Sequence, residues 1–274
     1  MLPAEEISFT PVLLKTLKSA TLQAETSSKN KSHTNKAMRT RTIAKALFIL
    51  FAITLPGLLQ AKTPDVSETR TVGPFKAIKV SAGIDLVLEA GDREKVEVTG
   101  DREDMKEIIT EVKDGTLHIY RKTKIGFNFN IHQNCEVYVT AKTLDALSAS
   151  SGSDVECRGT FKSPSFRADA SSGSEVRLNL ECEKVSAECS SGSEIELTGK
   201  TRMLSVSVSS GSEIHACELA AEIVHADASS GGEACVKATS ELHANASSGG
   251  EIDYRGNPGK VDAHKSSGGS VSGN

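Results

Sequence analysis

Ser190-Ser191-Gly192-Ser193-Glu194-Ile195 is one copy of a signature that fills the second half of this 274-residue chain. Copies of Ser-Ser-Gly centre on Gly152, Gly173, Gly192, Gly211, Gly231, Gly249 and Gly268, at spacings of 21, 19, 19, 20, 18 and 19 residues. A fixed period near 20 marks one structural unit stacked on itself. Working outward from the glycine, the positions five and three before it are mostly small and apolar, as in Ala168 and Ala170 or Val206 and Val208. The position seven before it is larger, as in Phe166 and Leu204, and the places between are polar. After the glycine the apolar series resumes three on, with Val155, Val176, Ile195, Ile214, Ala234, Ile252 and Val271. Strict alternation of this kind describes a strand with one buried face. Each unit therefore reads as strand, tight turn, strand, connector. The glycine belongs there because a sharp turn often needs positive φ, which glycine adopts without steric cost.

About 20 residues cannot enclose a core alone, so stability must come from neighbouring units. Seven coils at ~4.8 Å each give a rod of roughly 34 Å. The expectation is an all-β chain wound as a right-handed parallel β-helix. A sandwich is the rival, but its turns would not repeat one motif in register. The absence of Trp and a 4% aromatic content suit a solenoid packed in ladders of small residues.

Upstream, residues 1–37 read as a disordered extension that a mis-assigned start would explain. Residues 38–61 have the layout of a secretory signal peptide. Arg39, Arg41 and Lys45 precede an apolar run, and Leu59-Gln60-Ala61 supplies a cleavage site. Pro56-Gly57 interrupts the run, which disfavours the alternative of a membrane anchor. Residues 62–72 read as a polar tether, and 73–142 as a β-rich head that caps the helix and contains its first coil. Ser81-Ala82-Gly83-Ile84-Asp85 is a worn copy of the repeat turn. Asp114-Gly115 predicts a hairpin feeding a strand over Leu117–Arg121, in preference to a helix over 101–113. Phe127–Ile131 and Glu136–Thr140 read as two more strands. Residues 143–274 hold the seven repeats.

The repeated turns, the strand-rich head, and Tyr254-Arg255-Gly256-Asn257-Pro258 ahead of Val261 and Ser266-Ser267-Gly268-Gly269 resemble the head-GIN-domain family of auto-transporter adhesins. The resemblance runs from about Gly73 to Ser272, with Gly83-Ile84-Asp85 standing where the eponymous motif belongs. It implies a pectin-lyase-like β-helix, a place in the bacterial envelope and a role in cell adhesion. It brings no catalytic residues with it.

Four features bear on chemistry. Asp154, Glu175, Glu194, Glu213, Glu233 and Glu251 follow the turns and should stack in one acidic column. Neighbouring carboxylates at ~5 Å repel by about 0.8 kcal/mol even in water. The column is thus read as solvated charge that discourages side-on aggregation, or as a binding or Ca²⁺ column. His225 and His243 share an outward column with Asp262, close enough for a transition metal, although surface histidines without a ligand are the plainer reading. Six cysteines in an exported chain permit disulfides; Cys182 and Cys189 are the one pair considered, and buried free thiols the default. Finally, Arg158, Lys162, Arg167 and Arg177 are scattered over several columns, and no Ser–His–Asp arrangement can be placed by spacing.

A net charge of −4 offers no basic face to nucleic acid. The chain is therefore expected to be no enzyme, to need no cofactor or metal, and to work as an exported binding or adhesion module for carbohydrate or a cell-surface protein. A polysaccharide lyase or hydrolase on the same fold and a purely structural envelope protein are the alternatives. The open strand edge at Val271-Ser272-Gly273-Asn274 predicts self-association.

Overall fold

The structure is a computed structural model that describes residues 66–122 and 135–274. The extension at 1–37, the signal peptide at 38–61 and the strand expected over Phe127–Ile131 lie outside the described residues. The rest is a parallel β-solenoid.

Strands β8 (Ala146–Ser150) and β9 (Asp154–Arg158) flank the first Ser-Ser-Gly turn. After a break at Gly159-Thr160, β10 (Phe161–Ser171) leads to the second turn. That turn and the three after it are each followed by one long strand that carries the chain through the connector to the next: β11 (Glu175–Ser190), β12 (Glu194–Val208), β13 (Glu213–Ala228) and β14 (Glu233–Ala246). The last coils are β15 (Glu251–Arg255), β16 (Lys260–Lys265) and β17 (Ser270–Gly273). Successive coils pair in parallel with the repeat positions in register, as in Ala168↔Ala187 and Val185↔Leu204. The connectors, expected as plain links, are themselves laddered, for example Glu181↔Lys200 and Cys182↔Thr201. Two exposed residues, Glu183 and Lys184, interrupt the in–out alternation of β11 and mark the bend.

The expected inward positions form the core. Ala168, Ala187, Val206, Ala226 and Ala244 are buried on the arm before the turn, facing Val176, Ile195, Ile214 and Ile252 on the arm after it. The turn uses two left-handed residues rather than one. Gly192 has φ +66° and Ser191, before it, +60°, and the same pair recurs in all seven copies. Placing a non-glycine residue there costs roughly 1–2 kcal/mol. A ladder along the turn edge offsets it: Gly173 N–H donates to Ser191 O at 3.2 Å, Gly192 to Ser210 at 3.3 Å and Gly211 to Ser230 at 3.2 Å.

The residue after the glycine points inward and divides the solenoid in two. In the first four copies it is Ser153, Ser174, Ser193 or Ser212, each buried. Ser174 Oγ donates to Ala149 O at 3.0 Å, and Ser212 Oγ lies 2.8 Å from Cys189 O and 2.6 Å from Ser209 O. In the last three it is Gly232, Gly250 or Gly269, and its N–H instead closes the turn on the serine three residues back, at 2.8–2.9 Å. Ser212→Ala, which strands part of that carbonyl pair, is expected to lower stability by about 1 kcal/mol in chemical denaturation.

The head is β1 (Val66–Arg70), β2 (Ala77–Val80), β3 (Asp85–Ala90), β4 (Lys95–Gly100), α1 (Arg102–Met105), β5 (Ile108–Lys113), β6 (Thr116–Arg121) and β7 (Cys135–Ala141). The worn turn is a true coil: Ala82 and Gly83 are both left-handed, β2 pairs in parallel with β8, and β3 with β9. On its other side β2 pairs with β6 and β3 with β7, so later residues form the outer level. Antiparallel strands then close this end. β5 returns on β6 through the left-handed Asp114-Gly115 hairpin, β4 covers β7, and β1 covers β4. Residues 66–70, expected as tether, are therefore part of the cap; Val66 reaches the core and Arg70 donates to Met105 O at 2.9 Å. At the opposite end β16 is exposed along its whole length, Val261 included. Lys265 stands where other coils place Ala, Cys or Val, and its Nζ donates to Val271 O at 2.7 Å across the end of the core.

Candidate binding surfaces

The acidic column exists and is longer than the six repeat positions. The ladder Asp154↔Glu175↔Glu194↔Glu213↔Glu233↔Glu251 continues into the head through Asp85↔Asp154 and Asp85↔Glu136. Among the described residues, basic side chains stand beside it only in the middle. Arg177 pairs with Glu175 and reaches Glu196 at 3.3 Å, while His215 Nε2 lies 3.1 Å from Glu213 and 3.5 Å from Glu194. Among the described residues Asp154, Glu233 and Glu251 have no ion-pair partner. At the head end, loss of hydration and then the charges of Asp154 and Glu136 push the Asp85 carboxyl above its ordinary range. A raised carboxyl favours the folded state only while it holds its proton, and that contribution is lost as pH rises through the folded value. Asp85→Asn is therefore expected to raise the neutral-pH melting temperature and to lose that advantage at pH 3, as thermal melts at the two pH values will show. The carboxylates stand one per coil, and among the described residues no three His, Cys, Asp or Glu side chains gather to hold a metal ion.

The turn glycines Gly152, Gly173, Gly192, Gly211, Gly231, Gly249 and Gly268 line the adjoining edge with nothing near their Cα hydrogens but solvent. On the arm before the turn His225 and His243 stack with ring centroids 4.9 Å apart and planes at 8°. His243 Nδ1 lies 3.5 Å from Asp262, whose other oxygen is 3.3 Å from His264.

The free-thiol default holds for Cys135, Cys157, Cys182 and Cys189, of which all but Cys157 are buried, and the pairing is corrected. Cys217 and Cys235 form a disulfide between adjacent coils, with Cα atoms 5.3 Å apart. Cys182 and Cys189 are free, because they sit at opposite edges of one coil: Cys182 at the connector, Cys189 Sγ against Ser193 Oγ beside the turn. Burial pushes both thiols up from their ordinary range. The disulfide was hidden by a bulge. After His215↔Cys235 and Ala216↔Val236 the β13–β14 register breaks, so Ala216 and Cys217 are both buried and the alternation that assigns faces fails there.

A large concavity lies on the connector edge, which the repeat reading passed over: a trough of ≈ 830 Å³. Its floor is the column Ser163↔Cys182↔Thr201↔Ala221. One wall is Lys162↔Glu181↔Lys200, with both ammonium groups 2.8 Å from the Glu181 carboxylate. The other holds Glu183, Arg202 and Glu222, with Arg202 Nε 3.4 Å from Glu183. Hydrogen bonds from Lys162 and then Lys200 hold the Glu181 carboxyl down to about 2. A depressed carboxylate stabilises the fold above its unfolded value and loses that contribution as pH falls to the folded one. A ¹³C titration of Glu181 is expected to give a midpoint about 2, moving up towards the ordinary value of 4.5 when both lysines become methionine.

Three solved structures share this architecture. The chain is similar to a "putative adhesin" from Bacteroides fragilis, with TM-score 0.65 and 20% identity over 77% of this chain and 97% of that one. It is similar to a "putative adhesin" from Parabacteroides distasonis, with TM-score 0.63 and 26% identity over 77% and 97%. It is also similar to a "putative lipid binding protein" from the same species, with TM-score 0.59 and 22% identity over 77% and 96%. No curated protein matches the chain. The family model for "Putative auto-transporter adhesin, head GIN domain" matches residues 74–258, which takes in the head from β2 onward, the worn turn and six of the seven repeats, and the chain belongs to that family.

Proposed function

We propose that the protein is an exported, non-catalytic β-solenoid that binds carbohydrate or a cell-surface protein through contacts repeated along its length. The observation that carries this reading is the registry of its polar columns. One carboxylate per coil, in ladder pairing from Glu136 to Glu251, presents a partner with the same group at each ~4.8 Å step. Individually weak contacts repeated this way add as avidity does. Export is supported by family membership, which points to a surface or secreted protein, and by a disulfide suited to an oxidising compartment. No helix among the described residues is long and apolar enough to cross a membrane.

The test couples adhesion to turnover. Beads carrying the full chain are expected to adhere to glycan-coated or cell-protein-coated surfaces, with no reducing ends released from the polysaccharides they hold. Reducing-end release would establish the lyase or hydrolase alternative, and adhesion to neither surface would leave a structural envelope component. Self-association through the free strand edges at the C-terminal end, those of β16 and β17, belongs to the same proposal. Lys260 and Lys265 guard the edge of β16, which keeps any pairing weak. A dimer by light scattering at tens of micromolar is the expected result, and monomer alone removes it.

A further inference from the structure

The geometry points to the connector trough as the site where a neutral linear polysaccharide lies along the solenoid axis. This inference rests on the binding-module reading and names a ligand for it. The trough, at ≈ 830 Å³, falls within the range of about 300–1,000 Å³ usual for ligand sites. It runs across five successive connectors, from Lys162 to Thr239. Its floor is made of small side chains, so a chain can lie close to the protein backbone without displacing a bulky group.

Charge selects the class of polymer. Lys162, Lys200 and Arg202 are balanced by Glu181, Glu183 and Glu222, so the lining carries no net field to hold a polyanion. What it offers is alternating donors and acceptors. Lys162, Glu181 and Lys200 occupy successive levels of one wall, donor–acceptor–donor, at ~4.8 Å steps. Each lysine uses one of its three donors on Glu181 and keeps two for a ligand. Each Glu181 oxygen takes one lysine and keeps a further lone pair. Sugar hydroxyls both donate and accept, and an extended β-linked pyranose chain advances by close to one coil rise per sugar. Such a chain meets the wall one residue per level. Glu181 also fixes both lysines before the ligand arrives, which reduces the entropy lost on binding.

The experiment is calorimetry of the full chain with chitohexaose and cellohexaose as neutral probes and hexagalacturonate as the acidic one, at low and high salt. A neutral probe is expected to bind with little dependence on salt. Lys162→Met/Lys200→Met is expected to weaken binding at least tenfold, and Glu181→Gln to do so with the fold intact by circular dichroism. Lys113→Met, which removes an exposed lysine of the β5–β6 hairpin in the head, is expected to bind as the parent does. Unchanged affinity in the trough variants overturns the assignment, as does salt-sensitive binding of hexagalacturonate alone. Binding of none of the three also overturns it. Bead adhesion measured in parallel separates the cases: beads that adhere while the trough variants have no effect leave the module standing without this site.

Discussion

Gly250→Ala is expected to lower the melting temperature by roughly 6–12 °C, the equivalent of about 3 kcal/mol for a domain of this size. A β-carbon built at Gly250 would stand 2.5 Å from both the carbonyl carbon and oxygen of Ala228, and 2.7 Å from Ser229 N. These are backbone atoms of the preceding coil, held by the ladder on both sides, so no rotamer change relieves the contact. Gly249, one residue earlier, is the internal control. Its φ is +74° but nothing lies within 4 Å of an added β-carbon, so Gly249→Ala carries only the left-handed penalty of about 1–2 kcal/mol. The glycine that looks essential in the motif is thus the milder of the two to replace. Thermal melts of the two variants side by side check the order; Gly249→Ala as the more damaging change would contradict the close inter-coil approach.

Removing the Cys217–Cys235 disulfide is the second large effect. It closes a loop of sequence separation 18, for which the chain-entropy estimate is about 3 kcal/mol. Cys217→Ser/Cys235→Ser is expected to melt correspondingly lower than the parent without reductant. A phosphine reductant should bring the parent down to the variant and leave the variant unmoved. Equal melting temperatures in all four conditions would show that the bridge does not form.

Much of the solenoid was open to reading because its cause is local and repeated. Ala168, Ala187 and Ala226 are buried where period-two alternation puts them, and the Asp114-Gly115 hairpin follows from two residues that tolerate left-handed backbone. The acidic column followed from the glycine alignment, since equal offset from the turn means equal height along the ladder. What stayed hidden depends on departures from the repeat. The bulge after Ala216 takes Cys217 out of the in–out alternation and sets it beside the outward Cys235, and no alternation rule locates a bulge. Glu136 joins the column only because β7 lies outside β3, a spatial order that differs from chain order. The second glycines, Gly232, Gly250 and Gly269, were visible, yet their close approach to the backbone of the previous coil depends on inter-coil distance. The trough arises where the connectors of five coils leave a concavity, which a one-dimensional pattern does not record.

The central claim is that seven turns stack in register along one edge. Spin labels on paired turn serines, in a background whose free cysteines are replaced, test it most directly. Ser151 to Ser230, Ser248 and Ser267 spans four, five and six coils, so the distances should be about 19, 24 and 29 Å, rising by one ladder spacing each time. Distances that fail to increase in even steps, or that scatter broadly for all three pairs, would contradict the stacked solenoid and every column built on it.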